Sequence, residues 1–300
     1  MVQGVYPPII TIFNEEGNID YEANKKQTDF LIYKGIDGIA YLGTSGEFSS
    51  LTIEERKKYL EEMVKYVNKR VKIIAGVGDT SIINTKELIS FCEYLQVDSI
   101  LLVPPYFNKN NDEMIIEYYT YLANITNLPI ILYNIPDLSG YNFSYEIVKT
   151  LIEKNSNIKG IKESLDSITH LKEMINIKSI DPEFKVFCAY ENLAKGALLA
   201  GVDGFINATA NFAPEYTVNT YQYFISNDEE KFLYNANKMN EAMKIYDLSN
   251  PLYLACKQAC YLRVIKRDCY ERLPAVNLND ESKKKIEKKL EEIGITDLDF

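Results

Sequence analysis

Histidine occurs once in these 300 residues, at His170, and tryptophan not at all. Polarising a carbonyl with a bound metal ion commonly draws on several imidazoles, so that route is disfavoured and neither a metal nor any other cofactor is expected. Cysteine is scarce and odd in number: Cys92, Cys188, Cys256, Cys260 and Cys269 are the full set of 5. A chain with 46% hydrophobic residues can build its core without a disulfide framework. Cys256 and Cys260 are spaced to share a helical face, but the lone histidine is remote and a structural zinc lacks its ligand set. The thiols are read as free and buried. Positive charge is also in deficit, with 33 Lys+Arg against 43 Asp+Glu and a net charge of -10. Such a surface repels a phosphate backbone, so no nucleic-acid partner is expected. The one dense basic run, Lys283-Lys284-Lys285, is followed by Glu287, Glu291 and Glu292, the pattern of a solvated helix face. No apolar stretch is long enough to cross a bilayer, and Met1-Val2-Gln3-Gly4 does not open a basic-then-apolar leader. The expectation is a cytoplasmic protein with no membrane partner.

What the chain does have is a recurring alternation of short β-prone runs with helical segments. Candidate strands cover residues 5–12, 38–42, 71–75, 99–103, 129–133, 158–162, 184–188 and 204–206. Most begin roughly 20–35 residues apart, the span of one strand and its crossover helix. Runs such as Ile100-Leu101-Leu102-Val103 lack polar alternation, as in a sheet covered on both faces. Helical periodicity marks residues 52–67, 113–124, 144–153 and 168–175, with Thr52 and Ser167 as caps. Eight such units point to an α/β fold, a (β/α)8 TIM barrel with a C-terminal helical extension. Residues 1–212 are read as the barrel core; residues 213–300 hold its last helix and the extension, in the same structural domain. The extension carries helices at 228–246, 251–265 and 280–292. An open doubly wound sheet is disfavoured, because no Gly-x-Gly-x-x-Gly follows the first strand and Pro7-Pro8 interrupts it.

Barrel enzymes place their chemistry at the carboxyl ends of the strands. Those edges hold Gly43-Thr44-Ser45-Gly46-Glu47, Pro104-Pro105-Tyr106, Tyr133-Asn134, Lys162-Glu163-Ser164 and Asn207-Ala208-Thr209-Ala210-Asn211. A lysine ending an apolar strand costs about 2 kcal/mol in side-chain entropy and needs compensation for desolvation. Lys159 and Lys162 are assigned to one strand face, and position at the functional rim selects Lys162. Such an amine can attack a ketone, though an ion pair with Glu163 or Glu191 would equally account for it. The Gly43–Gly46 turn can cradle a small carboxylate or simply be a capped turn. Tyr133 stands where it can exchange protons beside Lys162, or merely pack. One amine, one phenol and one anion-binding turn are the parts of enamine chemistry, which polarises a carbonyl without metal.

The motifs Gly4-Val5-Tyr6-Pro7-Pro8, Gly43-Thr44-Ser45-Gly46-Glu47-Phe48, Tyr133-Asn134-Ile135-Pro136, Gly160-Ile161-Lys162-Glu163-Ser164 and Gly201-Val202-Asp203-Gly204 occur in that order. With them the sequence resembles the dihydrodipicolinate synthase and N-acetylneuraminate lyase superfamily over nearly its whole length. The resemblance implies a Schiff-base lysine at Lys162 and a proton-transferring tyrosine at Tyr133. It implies pyruvoyl-carboxylate binding by Thr44 and Ser45, the Ile206 backbone near the pyruvoyl group, and a homotetramer of paired dimers. In the synthases an arginine binds the aldehyde's carboxylate; Leu138 occupies that position here and offers no donor. Phe107 stands where a second tyrosine is usual. Both differences argue against 4-hydroxy-tetrahydrodipicolinate synthase activity. Sialate lyases tolerate the leucine and favour Ser139-Gly140, but their acidic pair matches Glu191-Asn192 imperfectly. The closer resemblance is to 2-keto-3-deoxy sugar acid aldolases, in Phe48, Ser164-Leu165-Asp166-Ser167 and Asn211-Phe212-Ala213-Pro214. These release pyruvate and an aldehyde, and Ser164, Asn211 and Ser139 become the candidates for hydroxyl recognition. N-acetylneuraminate lyase and a 2-keto-3-deoxy acid dehydratase stand as alternatives, since the same imine supports water elimination.

Overall fold

The computed structural model describes residues 2–295. Strands β1 (Gly4–Val5), β2 (Gly38–Tyr41), β3 (Lys72–Gly76), β4 (Ser99–Leu102), β5 (Ile130–Asn134), β6 (Ile158–Glu163), β7 (Lys185–Cys188) and β8 (Gly204–Phe205) form one parallel sheet. Its order is β1-β8-β7-β6-β5-β4-β3-β2, and a bridge from Pro8 to Ala40 joins the two ends into a barrel. Nearly every strand residue is buried, because side chains pointing outward meet helices and those pointing inward meet one another. Seven strands fall within a residue or two of the expected ranges. The first does not: the expected run of residues 5–12 contracts to Gly4–Val5 and one bridge. Pro7 and Pro8 have no N–H to offer a ladder, so pairing there stops.

The helices are α1 (Tyr21–Tyr33), α2 (Ile53–Val67), α3 (Ile82–Leu95), α4 (Asp112–Ala123), the single turn α5 (Pro136–Ser139), α6 (Tyr145–Lys154), α7 (Ile168–Ile175), α8 (Ala194–Ala200) and α9 (Pro214–Ile225). Thr52 caps α2 in a reciprocal box with Glu55, Ser144 caps α6 and Ser167 caps α7. The extension comprises α10 (Glu229–Met243), α11 (Tyr253–Cys260) and α12 (Asp280–Glu292). The expected helix at 251–265 is α11 continued by a wider turn, Tyr261–Ile265. The lysine-rich α12 is indeed a solvated face, tied by pairs such as Lys285–Glu281 at 2.7 Å. No described helix is long and apolar enough to cross a membrane.

The barrel interior is a small apolar cluster that includes Tyr6, Ala40, Ile74, Leu101, Ile131, Phe187 and Ile206. Gly38 leaves the space that the Tyr6 ring fills, since a Cβ there would lie 2.1 Å from that ring. Tyr6 meets Phe187 edge to face with centroids 5.9 Å apart. This aromatic floor fills the lower barrel beneath the polar side chains gathered at the carboxyl ends of the strands.

Candidate active site

Strand register brings the two central residues together. Tyr133 on β5 pairs with Lys162 on β6, which in turn pairs with Phe187 on β7, so all three stand at one height and point inward. Lys162 is 3% exposed, and its Nζ lies 4.0 Å from the centroid of the Tyr133 ring. Among the described residues no carboxylate comes within 4.0 Å of that nitrogen. The two partners considered from sequence are engaged elsewhere. Glu163 points out of the barrel, where its Oε1 accepts from Asn134 Nδ2 at 2.7 Å. Glu191 accepts from the Tyr246 hydroxyl at 2.6 Å and from the Thr209 N–H at 3.2 Å, and burial raises its pKa above the usual carboxylate range. One sequence assignment needs correction: Lys159 and Lys162 are three residues apart and face opposite ways. Lys159 lies outside, paired with Asp181 at 2.9 Å, so alternation as well as position selects Lys162.

The turn after β2 supplies the third part. The Thr44 hydroxyl is 3.0 Å from the Tyr133 hydroxyl, which links the turn to β5. Leu42 and Glu47 flank it in left-handed conformations, at φ 57° and 54°, and strain of this kind gathers at binding sites. Within the turn the Gly46 N–H donates to Gly43 O at 3.1 Å and the Glu47 N–H to Thr44 O at 3.0 Å. The N–H groups of Thr44 and Ser45 and the Ser45 hydroxyl have no acceptor among the described residues. Donors left over in this way suit a small carboxylate. Ile206 joins the cluster below; its N–H donates to Cys188 O at 3.1 Å, and its carbonyl accepts from no described donor.

A buried charge cluster anchors this turn to the extension. Glu47 Oε1 accepts from Lys257 Nζ at 2.7 Å, and the same nitrogen donates to Glu271 Oε2 at 2.6 Å. Lys257 is 0% exposed on α11, and the neighbouring carboxylates hold it above the usual lysine range against the cost of burial. Burial pushes Glu47 up, with Lys257 opposing. Sequence reasoning quoted Glu47 without its partner. The available signal was a lone lysine in the apolar stretch Tyr253-Leu254-Ala255-Cys256-Lys257.

The hydroxyl-recognition candidates separate. Ser164 sits at the end of β6, half-buried, its side chain without a described partner and its N–H on Asn134 O at 2.9 Å. Ser139 is committed instead, donating to Ile135 O at 2.9 Å and to Tyr141 O at 3.1 Å. Asn211 is committed too: fully buried, it donates to Pro8 O at 3.0 Å and to Ala208 O at 3.1 Å, and accepts from the Ile10 N–H at 3.1 Å. Both expectations give way to structural duties, because every polar atom named is already satisfied inside the fold. Leu138 is 61% exposed in α5, and Phe107 is 95% exposed after β4. Tyr190, at the end of β7, has its pKa raised first by burial and then by the charges of Asp137 and Asp166.

Fold and site define a class: a (β/α)8 barrel with an amine, a phenol and a turn of free N–H donors gathered at the carboxyl ends of its strands. The chain belongs to the Dihydrodipicolinate synthetase family, whose model matches residues 1–293. It is 36% identical over 293 residues to the "Probable 2-dehydro-3-deoxy-D-pentonate aldolase YjhH" of Escherichia coli (strain K12), covering 97% of each chain. It is 34% identical over 297 residues to the 4-hydroxy-tetrahydrodipicolinate synthase of Methanocaldococcus jannaschii, covering 98% of this chain and 100% of that one. Among solved structures, that of YagE, a prophage protein of the dihydrodipicolinic acid synthase family from E. coli K12 in complex with pyruvate, superposes with a TM-score of 0.95. Its sequence identity is 33%, covering 98% of this chain and 99% of that one.

Proposed function

We propose that this protein is a class I aldolase that reversibly cleaves a 2-keto-3-deoxy sugar acid into pyruvate and an aldehyde. The observation that carries the reading is the inward, unpaired amine of Lys162 held at the height of the Tyr133 ring. Lys162 Nζ adds to the C2 carbonyl, and loss of water leaves a protonated imine. The N–H groups of Thr44 and Ser45 take the C1 carboxylate, and the Ile206 backbone lies against the pyruvoyl carbons. The hydroxyl of Tyr133, hydrogen-bonded to Thr44, relays the proton that leaves the C4 hydroxyl, and the same relay later returns one to C3. The C3–C4 bond then breaks: the aldehyde leaves, and the bonding pair passes through C3 and C2 to the imine nitrogen as an enamine. Protonation at C3 and hydrolysis release pyruvate and restore the amine. The similarity to a pentonate aldolase and to a barrel holding pyruvate supports this choice of substrate. Ser164 is left as the serine free to meet a sugar hydroxyl. Leu138, exposed and without a donor, leaves an aldehyde carboxylate unbound, which weighs against the synthase reaction. The assembly that goes with this reading is the homotetramer, for which exposed Phe107, Tyr94 and Ile83 offer apolar contact surface.

Incubation with pyruvate and borohydride tests the reading. A reduced pyruvate adduct on the peptide bearing Lys162 is expected, together with pyruvate release from 2-keto-3-deoxy acids. Absence of the adduct, or a product that has lost water and released no aldehyde, counts against it. In the same assay Tyr133→Phe still forms the adduct but cleaves about 10²–10⁴-fold more slowly, the usual contribution of positioned proton transfer.

A further inference from the structure

The alternation that turns Lys162 inward turns Glu163 outward, and the same holds for Tyr133 and Asn134 on the paired strand. Behind the two inward residues, the outward ones enter a closed ring. Glu163 Oε1 accepts from Asn134 Nδ2 at 2.7 Å, and Asn134 Oδ1 accepts from the Phe143 N–H at 3.2 Å. Phe143 O lies 2.8 Å from His170 Nε2, and His170 Nδ1 lies 3.1 Å from Glu163 Oε2. The ring ties β5 and β6 to α7 and to the segment that enters α6.

The last contact has a chemical consequence. A carbonyl oxygen can only accept, so Nε2 carries its hydrogen. A neutral imidazole then presents a lone pair on Nδ1, aimed at a carboxylate oxygen that also only accepts. The two atoms are buried and off the ideal hydrogen-bond line, and neither has another partner among the described residues. Two unshielded acceptors do not rest 3.1 Å apart in a protein interior, so a proton must sit between them. We propose that Glu163 and His170 share one proton and thereby hold Lys162 and Tyr133 in register, so that activity falls when this proton leaves. The inference rests on the aldolase reading for its kinetic readout. Neither residue touches substrate; both are positioning residues.

Burial raises the Glu163 pKa, and the carboxylate beside His170 raises that of the imidazole. Both directions favour retention of the proton, and that of His170 is upward from the ordinary histidine value. A raised folded-state pKa means the stabilisation is complete below about 6.5 and is lost as pH rises through the folded value. Other charges near the ring are few. Glu173 on α7 adds a small upward pull. On α6, Glu146, Glu153 and Lys154 are exposed and Lys149 is half-buried; Lys195 of α8 is exposed, and Lys185 of β7 is bound to Asp203 at 3.2 Å.

The test joins a pH profile to one spectroscopic signal, since this chain has a single histidine. In the untagged protein the imidazole nitrogen shifts should stay constant through pH about 6.5 and change only at the pH where kcat declines. Glu163→Gln, whose amide donates to Nδ1 without a titrating proton, should keep kcat within about threefold at neutral pH and move the alkaline midpoint up by about one unit or more. His170→Ala opens the ring and should lower kcat about tenfold or more with little change in the pyruvate KM. A histidine midpoint near 6.5, or an alkaline decline unchanged in Glu163→Gln, overturns the proposal. Borohydride trapping on each variant separates the two readings: no adduct even in the wild type sinks the aldolase reading, while the histidine titration still decides the shared proton.

Discussion

Lys162→Met is expected to abolish pyruvate trapping and to lower cleavage on the order of 10⁶-fold, the lower end of what enzymes add over the uncatalysed reaction. Methionine reproduces the length of the lysine stem but has no amine, so no imine forms and the electrons of the C3–C4 bond have nowhere to go. The same variant should melt at the wild-type temperature or slightly above it. Lys162 is nearly buried without an ion-pair partner among the described residues, and an apolar side chain relieves that cost. Steady-state assays, borohydride trapping and thermal denaturation on one preparation check both halves. Retained cleavage would move the chemistry to another residue, and a collapsed melting temperature would make the lysine a structural element.

Lys257→Met should have the largest effect on stability. It removes the ammonium that bridges Glu47 and Glu271, leaving two carboxylates in the space that held their shared partner. Breaking a buried ion pair from one side costs about 3–5 kcal/mol, and a loss of that size lowers the melting midpoint by roughly 10 °C in a chain this long. The pH dependence has a definite sign. Burial already raises the Glu47 pKa, and loss of the opposing ammonium raises it further. A carboxyl with a raised folded-state pKa favours the fold when protonated and disfavours it when ionised. The variant should therefore approach the wild type at pH about 5 and fall furthest behind it above neutrality. Equal deficits at both pH values would show that packing, rather than charge, is what the lysine supplies. Because Glu47 ends the turn that carries Thr44 and Ser45, the variant should also weaken pyruvate binding.

Most of the barrel was legible because parallel strands covered on both faces leave apolar runs, and capped helices leave polar boundaries. Thr52, Ser144 and Ser167 mark helix starts that the structure reproduces. The helices α1 and α3 were not singled out, since their apolar residues are weakly segregated along the sequence. Within the candidate site, the placement of Lys162 and Tyr133 at neighbouring strand ends was readable from the sequence. That Ser139 and Asn211 are engaged by the backbone was hidden for a common reason: short polar side chains at a barrel mouth serve a ligand or the backbone, and sequence does not tell which. The partners of Glu191, Glu47 and Glu163 were out of reach because they arrive from Tyr246, Lys257 and His170 on other elements.

The seam between β1 and β2 bears on how the chain is made. Pro8 leaves a single bridge there, and Asn211 holds the carbonyl of Pro8 and the N–H of Ile10 across more than 200 positions of sequence. A ribosome adding about 5–20 residues per second delivers that asparagine roughly 10–40 s after the first strand emerges. Until then the opening segment is held from one side, by near neighbours such as Asn24, which bonds Ile12 O at 2.9 Å, and Ala40, whose carbonyl accepts from the Ile9 N–H at 3.0 Å. The cylinder can shut only when its last turn is synthesised, so nascent chains ending before that asparagine should expose the first strand to proteases or chaperones.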